Sequence, residues 1–403
     1  MHILLIHQAF ASIKEPGGTR HYEIARDLVA TGHKVTVITG QVSYLTGEAT
    51  GKEGLVNREV DEHGVKILRA YSYQNWHRSF LHRILSFVSF MFSSFAFGLR
   101  TKQVDVVWGT TPPLFQGLTA WFLARLKGTP FLFEVRDLWP KFAVAVGVLQ
   151  NSLLIKLSEG LERFLYRRAD RVVINSPGFR DHVTDRGARY VELIPNGVDT
   201  SMFPKSAGSK SSTTWEKGFV VLYAGAYGIS NDLGVLLEAA SILSDNKEIR
   251  VVLIGDGKEK NSLVEMSKEM ALENIEFLPP VPKEDMPGVL ASADVCVAIL
   301  KPIEAFKSTY PNKVFDYMAA GKPVVLAIDG VIRSVVEEAG AGIFVRPGNA
   351  SELADAVTEL WGNQTDVKRM GRAGRKYVEE HFDRSKQVES LVTVLEELLP
   401  SGR

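Results

Sequence analysis

Short apolar runs alternate with longer stretches of helical periodicity along almost the whole chain. The first run, Ile3–Ile6, contains no polar residue, and an amphipathic stretch over Tyr22–Ala30 leads to a second apolar-rich run, Val35–Thr39. Continuous apolar runs are typical of strands that are buried on both faces of a parallel sheet. The pattern therefore predicts a strand–helix–strand unit at the start of the chain.

The alternation continues in two blocks that are separated by a change of composition. In the first block we predict strands at Asp105–Trp108, Pro130–Val135, Arg171–Asn175 and Val191–Ile194, and helices over Gln116–Leu126 and Leu153–Arg168. Residues 205–214, KSAGSKSSTT, then have the small, polar composition of a flexible linker. In the second block we predict strands at Val220–Ala224, Arg250–Ile254, Ile275–Leu278, Val295–Leu300 and Pro323–Ala327, and helices over Gly234–Leu243, Lys258–Met270, Met286–Ala291, Asn312–Ala319 and Ser351–Trp361. The pattern predicts an α/β fold of two doubly wound domains, residues 1–200 and 218–383, joined by a linker at 201–217.

One apolar run does not fit the strand pattern. From Ile84 to Leu99 the chain has sixteen residues without a charge, with Arg83 before them and Arg100 after them. A helix that spans a bilayer needs about 20 apolar residues, and this run is shorter. Two interpretations stay open: a helix that packs on a sheet, or a helix that lies in a membrane surface with its basic flanks on anionic lipid.

Composition narrows the class of protein and its partners. The length of 403 residues suits two domains, and the 47 basic and 47 acidic residues cancel, which argues against a nucleic-acid partner. The single cysteine, Cys296, excludes an internal disulfide and a multi-cysteine metal site. The N-terminal sequence lacks the basic and apolar regions of a signal peptide, so we expect a cytoplasmic location.

Three common nucleotide motifs are absent from the sequence. Gly255-Asp256-Gly257 is followed by Lys260 where a dinucleotide fingerprint needs its third glycine, and there is no P-loop. No Asp-x-Asp pair occurs, so the sequence offers no paired acidic ligands for Mg²⁺ on a diphosphate. We therefore expect no metal, and a phosphate ligand would be held by lysines, arginines and helix N-termini.

The segment Tyr310–Val325, YPNKVFDYMAAGKPVV, contains groups of this kind. Pro311 suits the start of a helix, whose free amides and dipole attract an anion, and Lys313 adds a full positive charge. Asp316 lies near Lys313 on the same helix face and could accept hydrogen bonds from a ribose diol. The alternative interpretation is an ordinary helix–strand unit with an exposed charge pair.

Five segments together resemble a known family. They are Gly17-Gly18 before GHKVTVIT (Gly32–Thr39), IPNGVD (Ile194–Asp199), IGDG (Ile254–Gly257), PNKVFDYMAAGKPVV, and GAGIFVRPGN (Gly340–Asn349). In this order they resemble the retaining family 4 glycosyltransferases, which are glycogen-synthase-like and have the GT-B fold. VRDLWP (Val135–Pro140) and YAGAYG (Tyr223–Gly228) are similar to the WbuB-like branch of bacterial surface-polysaccharide transferases.

The resemblance implies two Rossmann-like domains that face a cleft, with the C-terminal helix, residues 384–403, crossing back to the first domain. It implies transfer with retention from a nucleotide-diphosphate sugar, with UDP the expected nucleotide, to a saccharide acceptor. For the WbuB-like branch, the expected acceptor is lipid-linked and the expected pathway is O-antigen or lipopolysaccharide assembly. We then expect a protein on the inner face of the cytoplasmic membrane, in contact with it through residues 84–99. The sugar nucleotide is a substrate, so no cofactor is expected.

The family's site residues carry over by position. The diphosphate loop matches Gly17 and Gly18, and Arg20 and His21 after it are predicted to bind the acceptor, although a solvated or capping role for His21 is an equal alternative. The other positions predicted to bind the donor are Gly225, Gly255, Gly257, Lys258, Asn312, Lys313 and Asp316. We predict catalytic roles for Lys313, Arg136 and Asp137, the last two as a phosphate contact and an orienting group for the acceptor hydroxyl. A buried ion pair of Arg136 with Asp137 or Glu134 is the alternative.

Three positions depart from the family pattern. The first glutamate of the Glu-x7-Glu signature falls on Ser308, and the second on Asp316. The Arg and Lys that clamp the diphosphate are missing from Gly225–Asp232, and Arg136 replaces the usual histidine. The diphosphate would then be held by Lys313, by amides at its helix start, by Lys258 or by Arg136. For IPNGVD we favour a turn at the hinge, with positive φ at Asn196-Gly197.

Other functions remain open at this point. One alternative is a UDP-sugar epimerase of the same fold, which would need an acid–base pair and no acceptor. Another is a catalytically weakened relative that binds the sugar nucleotide. A third is a two-lobed binding module of the periplasmic-receptor type, against which the missing signal peptide argues.

Overall fold

The computed structural model describes residues 1–41, 56–73, 80–204 and 218–399. The chain divides into two compact units. Unit 1 comprises Met1–Ser12, Gly17–Pro195 and Ser385–Arg403, and unit 2 comprises Ile13–Pro16 and Asn196–Arg384. From residue 205 onward, the predicted linker at 201–217 lies outside the described residues.

Unit 1 is built on one eight-stranded sheet. Its strands are β1 (His2–Ile6), β2 (Lys34–Thr39), β3 (Val56–Val60), β4 (Lys66–Ala70), β5 (Val106–Thr110), β6 (Phe131–Val135), β7 (Arg171–Ile174) and β8 (Val191–Leu193). Their order across the sheet is β3-β4-β2-β1-β5-β6-β7-β8, and every neighbouring pair is parallel except β3 and β4. The central strands β1, β5 and β6 are buried along their whole length, as their apolar runs predict.

Seven α-helices of unit 1 lie in the part of the chain that the structure describes. They are α1 (Arg20–Ala30), α2 (Phe80–Arg100), α3 (Leu114–Lys127), α4 (Lys141–Ala145), α5 (Ser152–Arg168), α6 (Arg180–Asp185) and α14 (Arg384–Glu397), which enters the unit at Ser385. The expected return of the C-terminal helix to the first domain is confirmed by this grouping, with Glu397 of α14 and Arg171 of β7 3.5 Å apart.

Unit 2 is built on a six-stranded, all-parallel sheet. Its strands are β9 (Phe219–Ala224), β10 (Ile249–Ile254), β11 (Ile275–Leu278), β12 (Val295–Ile299), β13 (Val324–Ala327) and β14 (Gly342–Phe344), in the order β11-β10-β9-β12-β13-β14. Its helices are α7 (Leu233–Ile242), α8 (Lys260–Glu269), α9 (Met286–Ala291), α10 (Asn312–Ala319), α11 (Val331–Glu338), α12 (Ala350–Gly362) and α13 (Gln364–His381). Both sheets therefore confirm the predicted pair of doubly wound α/β domains.

Some elements have no counterpart in the sequence prediction. The pair β3 and β4 was not predicted, because β3 carries exposed polar residues and lies at the sheet edge. The helices α11 and α13 were also missed. Helix α13 is highly charged, and two of the positions that it buries are Gly371 and Gly374, which give no apolar periodicity.

The IPNGVD segment contains the boundary between the units, which falls between Pro195 and Asn196. The prediction of a positive φ at Asn196-Gly197 is wrong, because neither residue has one. The segment is instead held by contacts with residues far along the chain. Arg384 donates to the Gly197 carbonyl oxygen at 2.7 Å, and Val198 forms a parallel bridge with Asp383.

The uncharged run of the sequence lies in helix α2. One face, with Phe90, Ser94 and Phe97, is buried. The opposite side exposes Leu81, Leu85, Phe92 and Leu99. By length and composition, Leu81–Arg100 is the one helix in the described ranges that could cross a membrane, and 28% of it is buried in the protein.

Candidate functional site

The carboxyl ends of the central strands of unit 1 bring a set of polar side chains together. His7 directly follows β1, Thr110 ends β5, and Arg136 follows β6. Helix α1 begins at Arg20 and adds its first two side chains to the same end of the sheet. Ligands of open α/β sheets bind outside these strand ends, so this is where a site is expected.

Glu134 is the anion at the centre of this group. Its side chain is fully buried, with Oε1 2.9 Å from Arg20 Nε and Oε2 2.7 Å from His21 Nε2. Burial alone would raise the pKa of the Glu134 carboxyl, but the neighbouring His21 and Arg20 lower it well below its usual range. Burial lowers the pKa of His21 to about 4 despite the attraction of Glu134. A neutral His21 therefore donates its Nε2 proton to an ionised Glu134.

Arg20 is fully engaged inside unit 1. Besides Glu134, it donates to the carbonyl oxygens of Ile194 and Pro195, each at 2.7 Å, and its side chain is 1% exposed. The structure thus brings Arg20 and His21 together, but in a buried network. Their predicted contact with an acceptor remains a prediction, and this geometry favours a role in positioning the loop that precedes α1.

His7 connects this region to Arg136. Its Nδ1 lies 2.8 Å from Thr110 Oγ1, and Arg136 Nη1 lies 3.3 Å from its Nε2. Its ring also packs on that of His21, with centroids 4.1 Å apart. Burial, with His21 and Arg136 nearby, lowers the pKa of His7 well below its usual range, so the ring is neutral.

Arg136 differs from Arg20 in having no carboxylate partner. It forms no ion pair with any residue of the described ranges, so the alternative of an ion pair with Asp137 or Glu134 is wrong. Its Nη2 lies 3.8 Å from where a Cβ on Gly18 would be, which places the guanidinium beside the Gly17-Gly18 turn. Burial raises the pKa of the adjacent Asp137 to about 6.

Unit 2 has a second polar group, formed by β9 and α10. Lys313, in the first turn of α10, places Nζ 2.7 Å from Tyr223 Oη and 3.9 Å from the centre of its ring. A Cβ on Gly225 would lie 2.7 Å from that Nζ, so a larger residue there would displace the lysine from this position. The Lys313 ammonium therefore lies beside the start of the loop Gly225–Asp232, where the Arg and Lys of the family pattern are missing.

Among the residues that the structure describes, no carboxylate pairs with the partly buried Lys313. Desolvation lowers the pKa of its ammonium to about 7. Beside it, Asn312 Oδ1 is buried and has no hydrogen-bond partner among the residues that the structure describes. A partly charged lysine, an unsatisfied amide and the free N–H groups of a helix start are together suited to an anionic, hydrogen-bonding ligand.

Asp316 has a partner that the sequence did not indicate. Lys283 Nζ lies 2.6 Å from its Oδ1, and the two side chains are only 12% and 15% exposed. The alternative of an exposed charge pair with Lys313 is therefore wrong. The predicted contact with a ribose remains a prediction, and it would have to share Asp316 with Lys283.

The glycine turns after β9 and β10 approach each other closely. A Cβ on Gly255 would lie 1.9 Å from the Gly225 carbonyl oxygen, and one on Gly257 would lie 2.5 Å from the Tyr227 oxygen. Lys258, which follows, is exposed.

The positions around the first signature glutamate offer no buried carboxylate. Ser308 Oγ donates to the Ala305 carbonyl oxygen, and the side chain of Glu304 is 85% exposed, where it pairs with Lys307. No group of three or more His, Cys, Asp or Glu side chains in the described ranges could hold a metal ion. Metal independence stays a prediction.

Several residues of these groups were missed or underrated by sequence reasoning, namely His7, Thr110, Tyr223 and Lys283. His7 was open to detection, because it directly follows the first buried strand, where site residues are expected. Lys283 gave no such signal, since its contact with Asp316 spans 33 residues.

Comparison with known proteins gives the family. Residues 17–197 match the model "Glycosyl transferase 4-like domain", and residues 218–363 match "Glycosyl transferases group 1". The colanic acid biosynthesis glycosyl transferase WcaI of Escherichia coli (strain K12) is 23% identical over 378 residues, which cover 90% of this chain and 91% of WcaI.

Solved structures agree in fold. Sucrose-phosphate synthase of Thermosynechococcus elongatus superposes with a TM-score of 0.77 at 17% identity, covering 99% of both chains. HepE of Anabaena, in complex with UDP and glucose, superposes with a TM-score of 0.74 at 16% identity, covering 98% of this chain and 100% of HepE. The motif matches, the two family models and the fold lead to one conclusion: the chain belongs to the family 4 glycosyltransferases of GT-B fold.

Proposed function

We propose that the protein transfers a sugar, with retention of configuration and without a metal ion, from a UDP-sugar to a lipid-linked saccharide in surface polysaccharide assembly. The observation that carries this proposal is the partly buried Lys313 at the start of α10, which faces no carboxylate of the described residues. The name of WcaI supports a polysaccharide pathway, and the UDP in HepE supports the nucleotide.

The chemical problem is the departure of a nucleotide diphosphate while positive charge develops on the sugar. Lys313 and the amides of α10 would stabilise the developing negative charge, which is the main electrostatic contribution that a protein can make here. A diphosphate near Nζ also favours the charged form of the lysine, so ligand and ammonium stabilise each other.

Arg136 of unit 1 is proposed to bind a phosphate group. Arg136 has no carboxylate partner among the described residues and lies beside a glycine turn whose amides can approach a phosphate closely. A phosphate of the donor or of a lipid diphosphate acceptor would accept hydrogen bonds from the Nη2 edge of its guanidinium. Asp137, with its raised pKa, is proposed to orient the acceptor hydroxyl.

Helix α2 is proposed to face a membrane. Its outward side chains Leu81, Leu85 and Phe92 are 70%, 53% and 66% exposed, and Arg100 and Lys102 follow them. The adjacent helix α3 exposes Phe122 and Leu126, and α5, which packs on α3, exposes Leu153 and Leu157. This composition suits a helix that lies in the interface, with basic residues on anionic headgroups.

The test is transfer by the purified protein. UDP-, GDP- and ADP-sugars are incubated with lipid extracts in EDTA, and glycolipid products are identified by mass spectrometry and NMR of the new anomeric centre. We expect an α-linked product from a UDP-α-sugar, and thermal stabilisation by UDP above that by GDP or ADP. Lys313→Met should lose at least about 100-fold in kcat.

Lys322 supplies the matched control for Lys313. It lies nine residues further on, and its Nζ donates to the carbonyl oxygens of Ala291 and Ala293. Lys322→Met should lower the melting temperature and leave kcat unchanged. Isomerisation of a donor without any acceptor would instead establish the epimerase, and loss of transfer in EDTA would end the metal-independent proposal.

A further inference from the structure

A chain of hydrogen bonds in unit 1 has a defined direction. The backbone N–H of Gln8 donates to Gln116 Oε1 at 2.7 Å, so the oxygen of that amide is fixed and its nitrogen faces the other way. That nitrogen lies within donating distance of three oxygens, which are Thr110 Oγ1 at 2.9 Å, the Pro112 carbonyl oxygen at 2.9 Å and the Thr110 carbonyl oxygen at 3.0 Å. The orientation of the Gln116 side chain thus follows from a main-chain donor.

Arg136 fixes the other end of this series of hydrogen bonds. A guanidinium can only donate, so the His7 Nε2 that it contacts at 3.3 Å must be unprotonated. The neutral His7 ring then carries its proton on Nδ1 and donates it to Thr110 Oγ1 at 2.8 Å. Each bond in the series therefore has one possible polarity.

The free edge of the guanidinium lies at the glycine turn. Arg136 Nη2 lies 3.8 Å from the Cβ position of Gly18, and Nη1 is the edge that His7 holds. His7 itself is completely buried, and the ring of His21 packs against it. His7 is thus fixed on several sides, while the group that it contacts is free to meet a ligand.

We propose that His7 is a positioning residue for Arg136, and that its Nδ1-protonated ring holds the guanidinium with the Nη2 edge toward the Gly17-Gly18 turn. This inference rests on the proposed function, in which Arg136 meets a phosphate group. His7 would touch no substrate, and its effect would pass through Arg136 alone.

The test compares variants of His7 with a matched histidine. His2 begins β1, the strand that His7 directly follows. It is also buried and is hydrogen-bonded to Thr36 and Gln103. His7→Gln can still accept from Arg136, His7→Asn reaches only Thr110, and His7→Phe loses both contacts. His2→Gln reports the general cost of changing a buried histidine of β1.

The expected results separate positioning from stability. His7→Phe and His7→Asn should lower kcat roughly tenfold with the donor KM changed less than about twofold, while His7→Gln and His2→Gln stay within about threefold. In an Arg136→Ala background, His7→Phe should have no further effect. If His7→Phe fails to fold, His7→Asn can be compared in the wild-type and Arg136→Ala backgrounds instead.

An NMR measurement tests His7 without activity. The ¹⁵N and ¹³C shifts of the wild-type ring should identify a neutral imidazole protonated on Nδ1. An Nε2-protonated ring, or equal losses from His7→Phe with and without Arg136, would overturn the inference. If Arg136→Ala itself leaves transfer unchanged, the role of Arg136 in the proposed function fails instead, whatever the NMR result.

Discussion

The Lys313 ammonium and the Tyr223 side chain form a partly buried pair in which neither member is an anion. Nζ lies 2.7 Å from the phenol oxygen and 3.9 Å from the ring centre, and the phenol donates its own proton to the Ala226 carbonyl oxygen. A ring face and a hydroxyl compensate only part of the desolvation of an ammonium, so the pKa of Lys313 falls to about 7. A bound diphosphate would supply the missing charge.

If UDP binds beside this pair, as proposed, its affinity should depend on pH. A bound anion raises the pKa of Lys313, so UDP would bind the ammonium form and its affinity should fall as pH rises from 7 to 9. The phosphate of UDP, with a second pKa near 6, does not titrate over that range. Calorimetry in buffers of different ionisation enthalpy should detect proton uptake near pH 7.5. Lys313→Met should bind weakly with no such dependence, and an unchanged slope in that variant would contradict the assignment.

The Lys283–Asp316 pair allows ribose binding to be separated from stability. Asp316→Ala leaves a mostly buried Lys283 without this partner and should cost about 2 kcal/mol of unfolding free energy. The double variant Lys283→Met/Asp316→Ala should recover most of that stability. If Asp316 holds the ribose, both variants should lose about tenfold in UDP affinity, as titration calorimetry can measure.

The same double variant can also give the result that would contradict ribose binding by Asp316. Recovery of UDP affinity together with stability would show that Asp316 acts only as the counter-ion of Lys283.

Acid should destabilise unit 1 through His21. Its pKa is about 4 in the folded protein, against an ordinary value near 6.5, because burial disfavours the charged ring. The stability from the neutral ring is present above pH 6.5 and is lost as pH falls toward 4, when the unfolded chain takes up the proton first. At pH 5 the loss should be roughly 2 kcal/mol.

His21→Gln isolates this effect. Glutamine can still donate to Glu134 but does not titrate, so its unfolding free energy should change less between pH 7 and pH 5 in denaturant titrations. The contribution of Glu134, whose pKa is lowered, is lost only below about pH 4.5, since that is where the unfolded carboxyl is protonated. Equal slopes for both proteins would argue against a neutral buried His21.

Membrane contact should depend on the outward face of α2. Replacing Leu85, Phe92 and Leu99 by serine should reduce binding to anionic vesicles by at least about tenfold and leave the fold intact. Ile242, an exposed apolar residue on α7, is the control, and Ile242→Ser should bind as the wild type does. Phe90 is unsuitable for this test because it is 1% exposed and belongs to the core. Unchanged sedimentation of the triple variant with vesicles would exclude this face.

The sequence predicted the sheets well because parallel strands are buried on both sides. Runs such as Ile3–Ile6 and Val220–Ala224 need apolar residues at every position, and that signal is local. The edge strand β3 and helix α13 were missed because their burial is partial or involves glycine. The predicted bounds of α10, Asn312–Ala319, agree with the structure because Pro311 and the Ala-Ala-Gly turn mark its two ends.

The site was harder to predict because its contacts are long-range. Motif positions indicated Lys313, Arg136 and the glycine turns, but not which groups face them. Whether a charge is neutralised depends on partners such as Glu134 for Arg20, 114 residues away, and Lys283 for Asp316. A local pattern contains no information about such a pair, so Arg20 and Arg136 look alike in the sequence and differ in the structure.

The leucines and phenylalanine on the outer side of α2 also affect how the protein behaves once it is extracted. In plain buffer these side chains are in contact with water, and the same surfaces of two molecules can cover each other. Purified material should therefore self-associate as its concentration rises, and mild detergent or the serine variants should keep it monodisperse in light scattering.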